Sequence, residues 1–389
     1  MIRAGTGVSE LEDGVEAAEQ AVGHALSKAG LKRAEFDLLF GSSHYGSQYP
    51  AIMKTVMQRL GTDRISGCTG VGILTEEGEL ERQRGLAVMV VSGGPRRAEP
   101  FLESPIQGNE GWVGDRLARA FRSFGQEGLM LLFPDAYRCD TRRLLDVFSE
   151  GVRGVPVVGG GAGEAGNLGG TLQFSQTEVR GDAVSGMILS GGARFQIGVT
   201  QGCRPFAGPY RPTRVQGNRI LELDGRPATL VASEAVETLK ARSHGMARGP
   251  IFLGFDRRNT PEAIGREDYR VRHIVGVDRK EGGIAVAEEI RPTEPVSFVC
   301  LDPEGATEDL YRMLKSSKRI LPEPAFGIYF DCCGRGESFY GFPNCDVNAI
   351  REHFGDLPVI GFHGNFELAP FRGTNSLYTY SGVLLLVAD

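Results

Sequence analysis

One pattern constrains the fold of this chain more than any other: a block of roughly a hundred residues occurs three times. Each block contains an apolar strand, a polar or glycine-rich loop, a helix, a second strand that ends in glycine, and further strands. The second strands run to glycine within residues 65–70, 155–161 and 357–362. A helix that covers one face of a sheet after each strand is typical of α/β folds. The repeat therefore predicts an α/β (α+β) protein with mixed sheets that include antiparallel strands.

The repeat is interrupted once, over residues 195–325, where the order of strands and helices differs. A glycine pair, Gly191-Gly192, precedes this stretch and follows a predicted strand. Glycine pairs permit the tight backbone conformations that connections between domains need. We therefore expect two domains, residues 1–192 and residues 193–389.

The first helix of the chain carries signals at both ends. Ser9 and Glu12 have the spacing of a capping box, in which each side chain accepts a hydrogen bond from a free backbone N–H of the first turn. Apolar residues then follow at steps of three and four, and Gly30 stands where a left-handed C-cap is expected. The pattern predicts a helix that begins after Ser9 and ends before Gly30.

Charge and composition indicate which kinds of partner and which cellular compartment to expect. The 43 Lys and Arg against 49 Asp and Glu give a net charge of −6, and the basic residues are scattered, which argues against a nucleic-acid partner. The sequence has neither an apolar run long enough for membrane insertion nor the apolar core of a secretory signal. Seven cysteines without paired spacing fit reducing conditions, so we expect a cytoplasmic protein.

Glycine is the compositional outlier, at 55 of 389 residues. Gly161, Gly163 and Gly166 have the spacing of a dinucleotide-binding loop, but a strand-like stretch follows where that loop requires a helix. The phosphate-binding P-loop pattern does not occur in the sequence. We therefore expect no cofactor and assign the glycines to turns and to close approaches of the backbone.

Cys332, Cys333, Cys345 and His363 are the residues that invite a metal assignment. Zinc sites favour cysteines a few residues apart, whereas adjacent cysteines on a strand point in opposite directions. The favourable spacing is absent from the sequence, so we expect no metal site. Packing explains at least two of these thiols, since cysteine is among the most buried residue types.

Cys68 lies where a strand ends in a glycine-rich turn. Backbone N–H groups in such a turn can form an anion-binding nest and lower the pKa of a thiol. His44, in another glycine loop, is the candidate base, so Cys68 and His44 are the candidate pair of a cysteine-dependent enzyme. The alternative is that Cys68 is a small residue packed where two backbones approach closely, and we favour it.

Three further side chains are candidates for binding a ligand. Arg335 stands between glycines after a buried strand, where its guanidinium can bind a carboxylate through two parallel hydrogen bonds. An internal pair of Arg335 with an aspartate or with Glu337 explains the same position, and both interpretations stay open. Glu367 can bind an amino group or cap backbone amides, and His363 can hydrogen-bond a polar ligand.

Several of these motifs, taken together, resemble one known family. They are Gly67-Cys68-Thr69 for the N-terminal domain of the FIST family, and Cys333-Gly334-Arg335-Gly336, Gly361-Phe362 and Glu367-x-x-Pro370 for its C-terminal domain. Their order and spacing agree over almost the whole chain. The resemblance implies a FIST N-terminal domain over residues 1–192 and a FIST C-terminal domain over residues 193–389.

The resemblance also implies a sensory module of intracellular signal transduction, which binds an amino-acid-like or organic-acid small molecule and acts on a separate signalling protein. Loops that follow strand ends gather at one edge of an α/β sheet, so we expect the site at residues 41–46, 66–72, 159–164, 332–337 and 361–367. The expected ligand-binding residues are His44, Cys68, Thr69, Cys333, Arg335, His363 and Glu367. A binding protein is thus favoured over an enzyme, with the Cys68–His44 enzyme and a protein-interaction scaffold as the alternatives.

All seven cysteines should be reduced in the native protein, because their number is odd and their spacing forms no disulfide framework. Titration of freshly isolated protein, unfolded without reductant, should find about seven free thiols per chain. Recovery of two or more fewer would contradict this expectation.

Overall fold

In the computed structural model of the chain, the three sequence blocks form three β-sheets of one design. The structure describes residues 1–95, 97–124, 127–166, 168–242, 250–256, 269–290 and 294–389. Each block has the same order of elements: an edge strand, a helix, a central strand, a second helix, a parallel strand, a β-hairpin and a returning strand. The predicted α/β fold with mixed sheets is confirmed.

The first two repeats fill residues 3–190. The first consists of β1 (Arg3–Ser9), α1 (Gly14–Ala29), β2 (Phe36–Ser42), a 3-10 helix (Ser43–Gln48), α2 (Tyr49–Leu60), β3 (Ile65–Gly70), β4 (Gly72–Thr75), β5 (Gly78–Glu81) and β6 (Leu86–Ser92). The second consists of β7 (Arg97–Glu103), α3 (Glu110–Ser123), β8 (Gly128–Pro134), α4 (Thr141–Gly151), β9 (Val157–Gly160), β10 (Gln173–Ser175), β11 (Glu178–Arg180) and β12 (Val184–Ser190).

An insertion divides the third repeat, which begins with β13 (Arg194–Gln201). The insertion contains β14 (Cys203–Tyr210), β15 (Pro212–Gln216), β16 (Arg219–Leu223), β17 (Arg226–Pro227), α5 (Ala228–Arg242), β18 (Ile251–Asp256), β19 (Tyr269–Asp278), β20 (Gly283–Val286) and β21 (Val296–Leu301). The third repeat continues with α6 (Pro303–Ile320), β22 (Phe326–Cys332), α7 (Glu337–Tyr340), α8 (Cys345–Phe354), β23 (Val359–Gly364), β24 (Glu367–Phe371), β25 (Thr374–Tyr378) and β26 (Ser381–Ala388).

The chain forms two compact units that do not follow its two sequence halves. Residues 1–199 and 311–389 form the large unit, and residues 200–310 form the inserted unit. Residues 191–193 connect β12 to β13, so the glycine pair does lie in a connection between strands. The division into domains 1–192 and 193–389 stays a prediction about sequence domains rather than a description of the compact units.

The three sheets of the large unit share one strand order. They run β1-β6-β2-β3-β10-β11, β7-β12-β8-β9-β24-β25 and β13-β26-β22-β23-β4-β5. In each sheet the central strand is antiparallel to the returning strand and parallel to the strand that follows the second helix. The last two strands of each sheet are a hairpin that comes from another repeat.

The hairpins are exchanged in a cycle. Hairpin β4–β5 of the first repeat joins the sheet of the third, β10–β11 of the second joins the sheet of the first, and β24–β25 of the third joins the sheet of the second. Each exchanged hairpin covers an edge that an isolated repeat would leave unpaired. The three repeats therefore complete one another, and none has a complete sheet by itself.

The central strands bury alternate residues in one shared core. Phe40 of β2, Phe133 of β8 and Phe330 of β22 stand at equivalent positions, and we call them the phenylalanine triad. Their ring centroids lie 5.2, 5.9 and 6.4 Å apart, within the range of favourable aromatic pairs. The remaining alternate residues of β2 and β8 pack under helices α1 to α4. Because successive side chains of a strand point to opposite faces, one face of each of these strands lies in the shared core and the other lies under the helices.

Glycine is required beside the phenylalanine triad. A Cβ atom built on Gly67, Gly159 or Gly361 would lie 1.7, 2.0 and 1.7 Å from the carbonyl oxygen of the neighbouring parallel strand. Those oxygens belong to the residue before each phenylalanine of the triad, at the same register in all three sheets. The glycines that end the predicted strands therefore serve a close approach of backbone, as expected.

The inserted unit has its own sheet and its own core. Its strands run β14-β21-β18-β19-β20-β16-β15, with β17 paired to β16. Apolar residues of α5 and of this sheet form the core, and a buried ion pair joins Arg270 to Glu288 at 3.0 Å. Across the described part of the chain, every helix is too short or too polar to cross a bilayer.

The first helix begins later than predicted. α1 starts at Gly14, and Asp13 caps it with a side chain that accepts hydrogen bonds from two N–H groups of the first turn. The predicted capping box of Ser9 with Glu12 is wrong, because Ser9 is the last residue of an edge strand and the chain needs several residues to leave the sheet. The C-cap prediction is confirmed, since Gly30 has a φ of 62°.

Replacement of Gly67 by alanine tests the close approach. We expect Gly67→Ala to destabilise the large unit by about 3 kcal/mol or more, because the new methyl group meets backbone that cannot rotate away. The matched control is Gly23→Ala, in α1, where a Cβ meets nothing within 4 Å and alanine favours the helix by about 0.5–1 kcal/mol. Thermal unfolding followed by circular dichroism measures both, and a Gly67→Ala variant as stable as the wild type would contradict the geometry.

Candidate functional site

The five predicted loop segments meet at one place in the large unit, which we call the apex. It comprises residues 41–46, 66–72, 159–164, 332–337 and 361–367. The hydrogen bonds that tie these segments and their flanking residues together include Val71 N to His363 O (2.9 Å), Gly163 N to Thr69 O (2.9 Å), Gly161 N to Phe366 O (2.8 Å), Asn365 N to Gly161 O (3.0 Å), Cys333 N to Gly364 O (2.8 Å) and Ala165 N to Ser43 Oγ (3.1 Å). The apex follows from the fold, because strands of all three repeats end there.

Much of the space between these segments is filled by the protein itself. The Phe362 ring packs on the phenylalanine triad, and a Cβ on Gly161 would lie 2.5 Å from the ring of Phe366. Two cavities of about 360 and 430 Å³ lie elsewhere and are lined by none of the predicted site residues. The apex is thus a packed junction with a polar outer face.

The structure does not make Cys68 and His44 a catalytic pair. The Cys68 thiol is fully buried in the shared core, where burial raises its pKa well above the usual value. His44 is half-buried, and its Nδ1 lies 3.3 Å from the hydroxyl of Ser42. A thiol that stays protonated inside an apolar core is a poor nucleophile. The packing interpretation of Cys68, which the sequence favours, fits this geometry.

Thr69 holds the apex together. Its hydroxyl accepts a hydrogen bond from the N–H of Leu172 at 3.1 Å, and its own N–H donates to the carbonyl of that residue at 2.9 Å. The side chain is fully buried. Thr69 therefore fixes the approach to the exchanged hairpin β10–β11, which is a structural role.

The guanidinium of Arg335 is used inside the protein. It is 0% exposed, and it pairs through Nε with Asp331 and through Nη2 with Asp346, each at 3.0 Å. Nη2 also donates to the hydroxyl of Tyr340 at 2.6 Å. Of the two interpretations left open by the sequence, the internal pair is present, although with these aspartates rather than with Glu337. One nitrogen, Nη1, has no hydrogen-bond partner.

A buried charge cluster surrounds Arg335. It consists of Glu79, Asp331, Arg335, Asp346 and His363. His363 Nδ1 lies 3.5 Å from Asp331 Oδ2, and His363 Nε2 lies 3.8 Å from Glu79 Oε2. Within the described ranges of the chain, the donor atoms of Glu79, Asp331 and His363 are grouped closely enough to hold a metal ion, all within 4.8 Å of one another.

Burial sets the protonation of this cluster. It raises the pKa of Asp331 well above its usual range and, together with the charge of Asp346, raises the pKa of Glu79 to about 8. Burial lowers the pKa of His363 to about 4. Asp346 behaves differently, because the Arg335 charge and the hydroxyls of two tyrosines outweigh burial and lower its pKa. At neutral pH, His363 is therefore neutral and Asp346 is the charged partner of Arg335.

Glu367 lies on the other side of the apex, at the start of β24. Its Oε2 accepts hydrogen bonds from Ser381 Oγ at 2.6 Å and from Ser381 N at 3.3 Å, while Oε1 has no partner. The side chain is fully buried, and burial raises the pKa of the carboxyl well above its usual range. One oxygen of the Glu367 carboxyl thus accepts hydrogen bonds from the backbone and hydroxyl of Ser381, while the other oxygen makes no hydrogen bond.

Cys333 and Asn365 carry the polar outer face of the apex. Cys333 Sγ lies 3.8 Å from Asn365 Oδ1, and Asn365 Nδ2 donates to the carbonyl of Ala162 at 3.2 Å. Both side chains are half-buried. The neighbouring thiol of Cys332 donates a hydrogen bond to Cys333 and lowers its pKa against the effect of burial.

Sequence reasoning missed Glu79, Asp331, Asp346 and Asn365. Asp331 and Asn365 flank predicted residues at strand ends, so a closer inspection of those ends could have found them. Glu79 is different, because it reaches the cluster only through the exchange of hairpin β4–β5 into the sheet of the third repeat. Spacing along the chain carries no sign of that exchange.

Proteins of similar sequence cover the whole chain. An uncharacterised protein of Mycobacterium bovis, Mb0898c, is 28% identical over 391 aligned residues, which span 100% of this chain and 99% of the relative. The Mycobacterium tuberculosis protein Rv0628c, also uncharacterised, is 28% identical with 100% of both chains covered. Among solved structures, a cyanuric acid hydrolase from A. caulinodans aligns with a TM-score of 0.28 and 11% identity, over 49% of this chain and 71% of that one. A likeness at that level carries no argument.

Two family domains match the chain in sequence. The FIST N domain matches residues 35–226, and the FIST C domain matches residues 231–370. Together they cover nearly the whole chain, in the order that the motifs at Cys68 and Arg335 indicate. The chain belongs to the FIST family.

Proposed function

We propose that this protein is a sensory protein that binds a small polar molecule, amino-acid-like or an organic acid, at the apex. The observation that carries the proposal is the convergence of strand ends from all three repeats on one polar face. Strand ends gathered at one edge of α/β sheets are where ligands usually bind. The membership of the FIST family, a family of sensory domains, supports the same role.

The repeats are alike in their core and unlike at their ends. The phenylalanine triad and its glycines occur in every repeat, because the fold requires them. The residues just beyond the strand ends differ: the third repeat supplies Cys333 and Asn365, whereas the second supplies Asp135 and Gly161. Side chains that differ where the fold does not require it are candidates for recognition.

The groups at the apex fit a ligand that both donates and accepts hydrogen bonds. The side-chain amide of Asn365 provides both functions. Below it, Glu367 Oε1 and Arg335 Nη1 are buried and have no hydrogen-bond partner. A ligand amino group would be bound by Glu367 and a ligand carboxylate by that single nitrogen of Arg335, once the apex opens to admit it.

Binding is favoured over catalysis at this site. The Cys68–His44 enzyme requires an accessible thiolate, and the Cys68 thiol is protonated within the core. We also propose a separate signalling protein as the receiver. The match to a family of sensory domains supports this proposal, since a sensor passes its signal to a receiver.

A thermal-shift screen of amino acids, amines and small organic acids tests the proposal. A ligand at 100 times its Kd should stabilise the folded protein by about 2.7 kcal/mol, which raises the melting temperature. Asn365→Ala should weaken binding by about tenfold and reduce that increase, because the ligand loses one hydrogen bond.

The control is Asn348→Ala, an exposed asparagine of α8 away from the apex segments. Because Asn365 also anchors Ala162, the quantity compared is the increase on ligand addition, not the melting temperature itself. Cys333→Ala provides a second apex variant. Ligands that stabilise all variants equally would place the site elsewhere, and a silent screen would contradict the proposal.

A further inference from the structure

Three side chains of the buried charge cluster converge from three strands of one sheet. Asp331 of β22 pairs directly with His363 of β23, so both side chains lie side by side on one face. Beyond them, Gly72 of β4 faces His363, and a Cβ at Gly72 would lie 3.0 Å from the imidazole ring. Glu79 of β5 stands opposite Leu74, two residues along β4, and its Oε2 lies 3.8 Å from His363 Nε2.

Two atoms of this group lack partners. Asp331 Oδ2 and His363 Nε2 are buried and make no hydrogen bond. The side chains of Glu79, Asp331 and His363 are only 1–2% exposed. A buried polar atom without a hydrogen bond costs free energy. The imidazole of His363 has a carboxylate beside each ring nitrogen, with Nδ1 3.5 Å from Asp331 Oδ2 and Nε2 3.8 Å from Glu79 Oε2, and a bound ion would satisfy the atoms that lack a hydrogen bond.

The cluster holds more carboxylates than cationic groups. Glu79, Asp331 and Asp346 contribute three carboxylates, and Arg335 contributes a single positive charge. Two further carboxylates act on it, because Glu81 lies half-buried on the same strand as Glu79 and Glu367 acts on Asp331. Carboxylate oxygens beside an imidazole nitrogen are a donor set that a divalent cation binds.

We propose that Glu79, Asp331 and His363 bind one divalent first-row transition-metal ion, of the kind of Mn²⁺ or Zn²⁺. An imidazole nitrogen with two carboxylate oxygens suits these ions, whereas Mg²⁺ and Ca²⁺ prefer oxygen ligands alone. Bond lengths of about 2.1 Å at a tetrahedral angle place two donor atoms about 3.4 Å apart. The three donor atoms lie within 4.8 Å of one another, and His363 Nε2 and Glu79 Oε2 are 3.8 Å apart, so side-chain rotation must bring the donors closer when an ion binds.

The ion would have a structural effect that is separate from ligand binding at the apex. Glu79 belongs to the exchanged hairpin of the first repeat, while Asp331 and His363 belong to the third. A bound ion would therefore fasten that hairpin to the sheet it completes. The proposal does not depend on the proposed function, since it concerns residues beneath the polar outer face.

Binding of Mn²⁺ to the full chain, freed of metal with a chelator, tests the site. Mn²⁺ is the first probe because thiolates, which the seven cysteines could offer to Zn²⁺, do not favour it. We expect one Mn²⁺ per chain for the wild type and for Glu77→Gln, an exposed neighbour on the turn before β5. Glu79→Gln should bind at least about tenfold more weakly.

Glu79→Gln is a mild change, because glutamine can still accept the hydrogen bond that Val347 N donates to Glu79 Oε1. Equal Mn²⁺ affinity in Glu79→Gln and wild type, or no saturable binding by the wild type, would overturn the proposal. If Glu79→Gln fails to fold, anomalous scattering from wild-type crystals soaked in Mn²⁺ tests whether the ion binds at these three side chains. A peak bounded by the three side chains supports the site, and its absence there overturns it.

Discussion

The three central strands β2, β8 and β22 turn alternate side chains into one core, and the position of everything else in the large unit depends on that arrangement. The phenylalanine triad lies where the three faces meet. Gly67, Gly159 and Gly361 let the neighbouring strands approach the backbone beside it, where any Cβ would collide with a carbonyl oxygen. The exchanged hairpins then complete each sheet with strands from another repeat. Packing and pairing therefore require all three repeats at once.

This arrangement also creates the conditions for the apex. Strands from every repeat end at the apex, so polar backbone groups and polar side chains lie close together there. Because the apex adjoins the shared core, several of these groups are buried. The consequences are visible in the buried charge cluster, where Arg335 is held by Asp331 and Asp346 at 3.0 Å. Removal of one partner of such a pair would leave an uncompensated buried charge, which typically costs about 3–5 kcal/mol. Arg335 is therefore first a structural residue, and we propose that recognition of a ligand falls mainly to Asn365, Cys333 and Glu367.

The sequence predicts the local parts of this structure well and the long-range parts poorly. The threefold repeat, the glycines at strand ends and the C-cap at Gly30 depend on residues near one another, so spacing shows them. The first residue of α1 could not be predicted from local spacing, because Ser9 belongs to an edge strand that pairs with β6, a distant segment of the chain. Glu79 and its place beside His363 follow from the hairpin exchange, which no local pattern encodes. Burial of Cys68 likewise depends on which face of β3 the shared core covers.

A double-mutant cycle between Phe40 and Phe133 tests the shared core most directly. These residues belong to different repeats, and their rings meet edge to face at 5.2 Å. Changing each to leucine, singly and together, should give a coupling energy of about 0.5–1.5 kcal/mol in unfolding experiments. The control cycle pairs Phe40 with Phe121, which lies on α3, packs on Phe148 of α4 in the separate core of the second repeat and should show a coupling near zero. Additive effects of Phe40→Leu and Phe133→Leu would show that the repeats do not meet in one core, and would contradict this account.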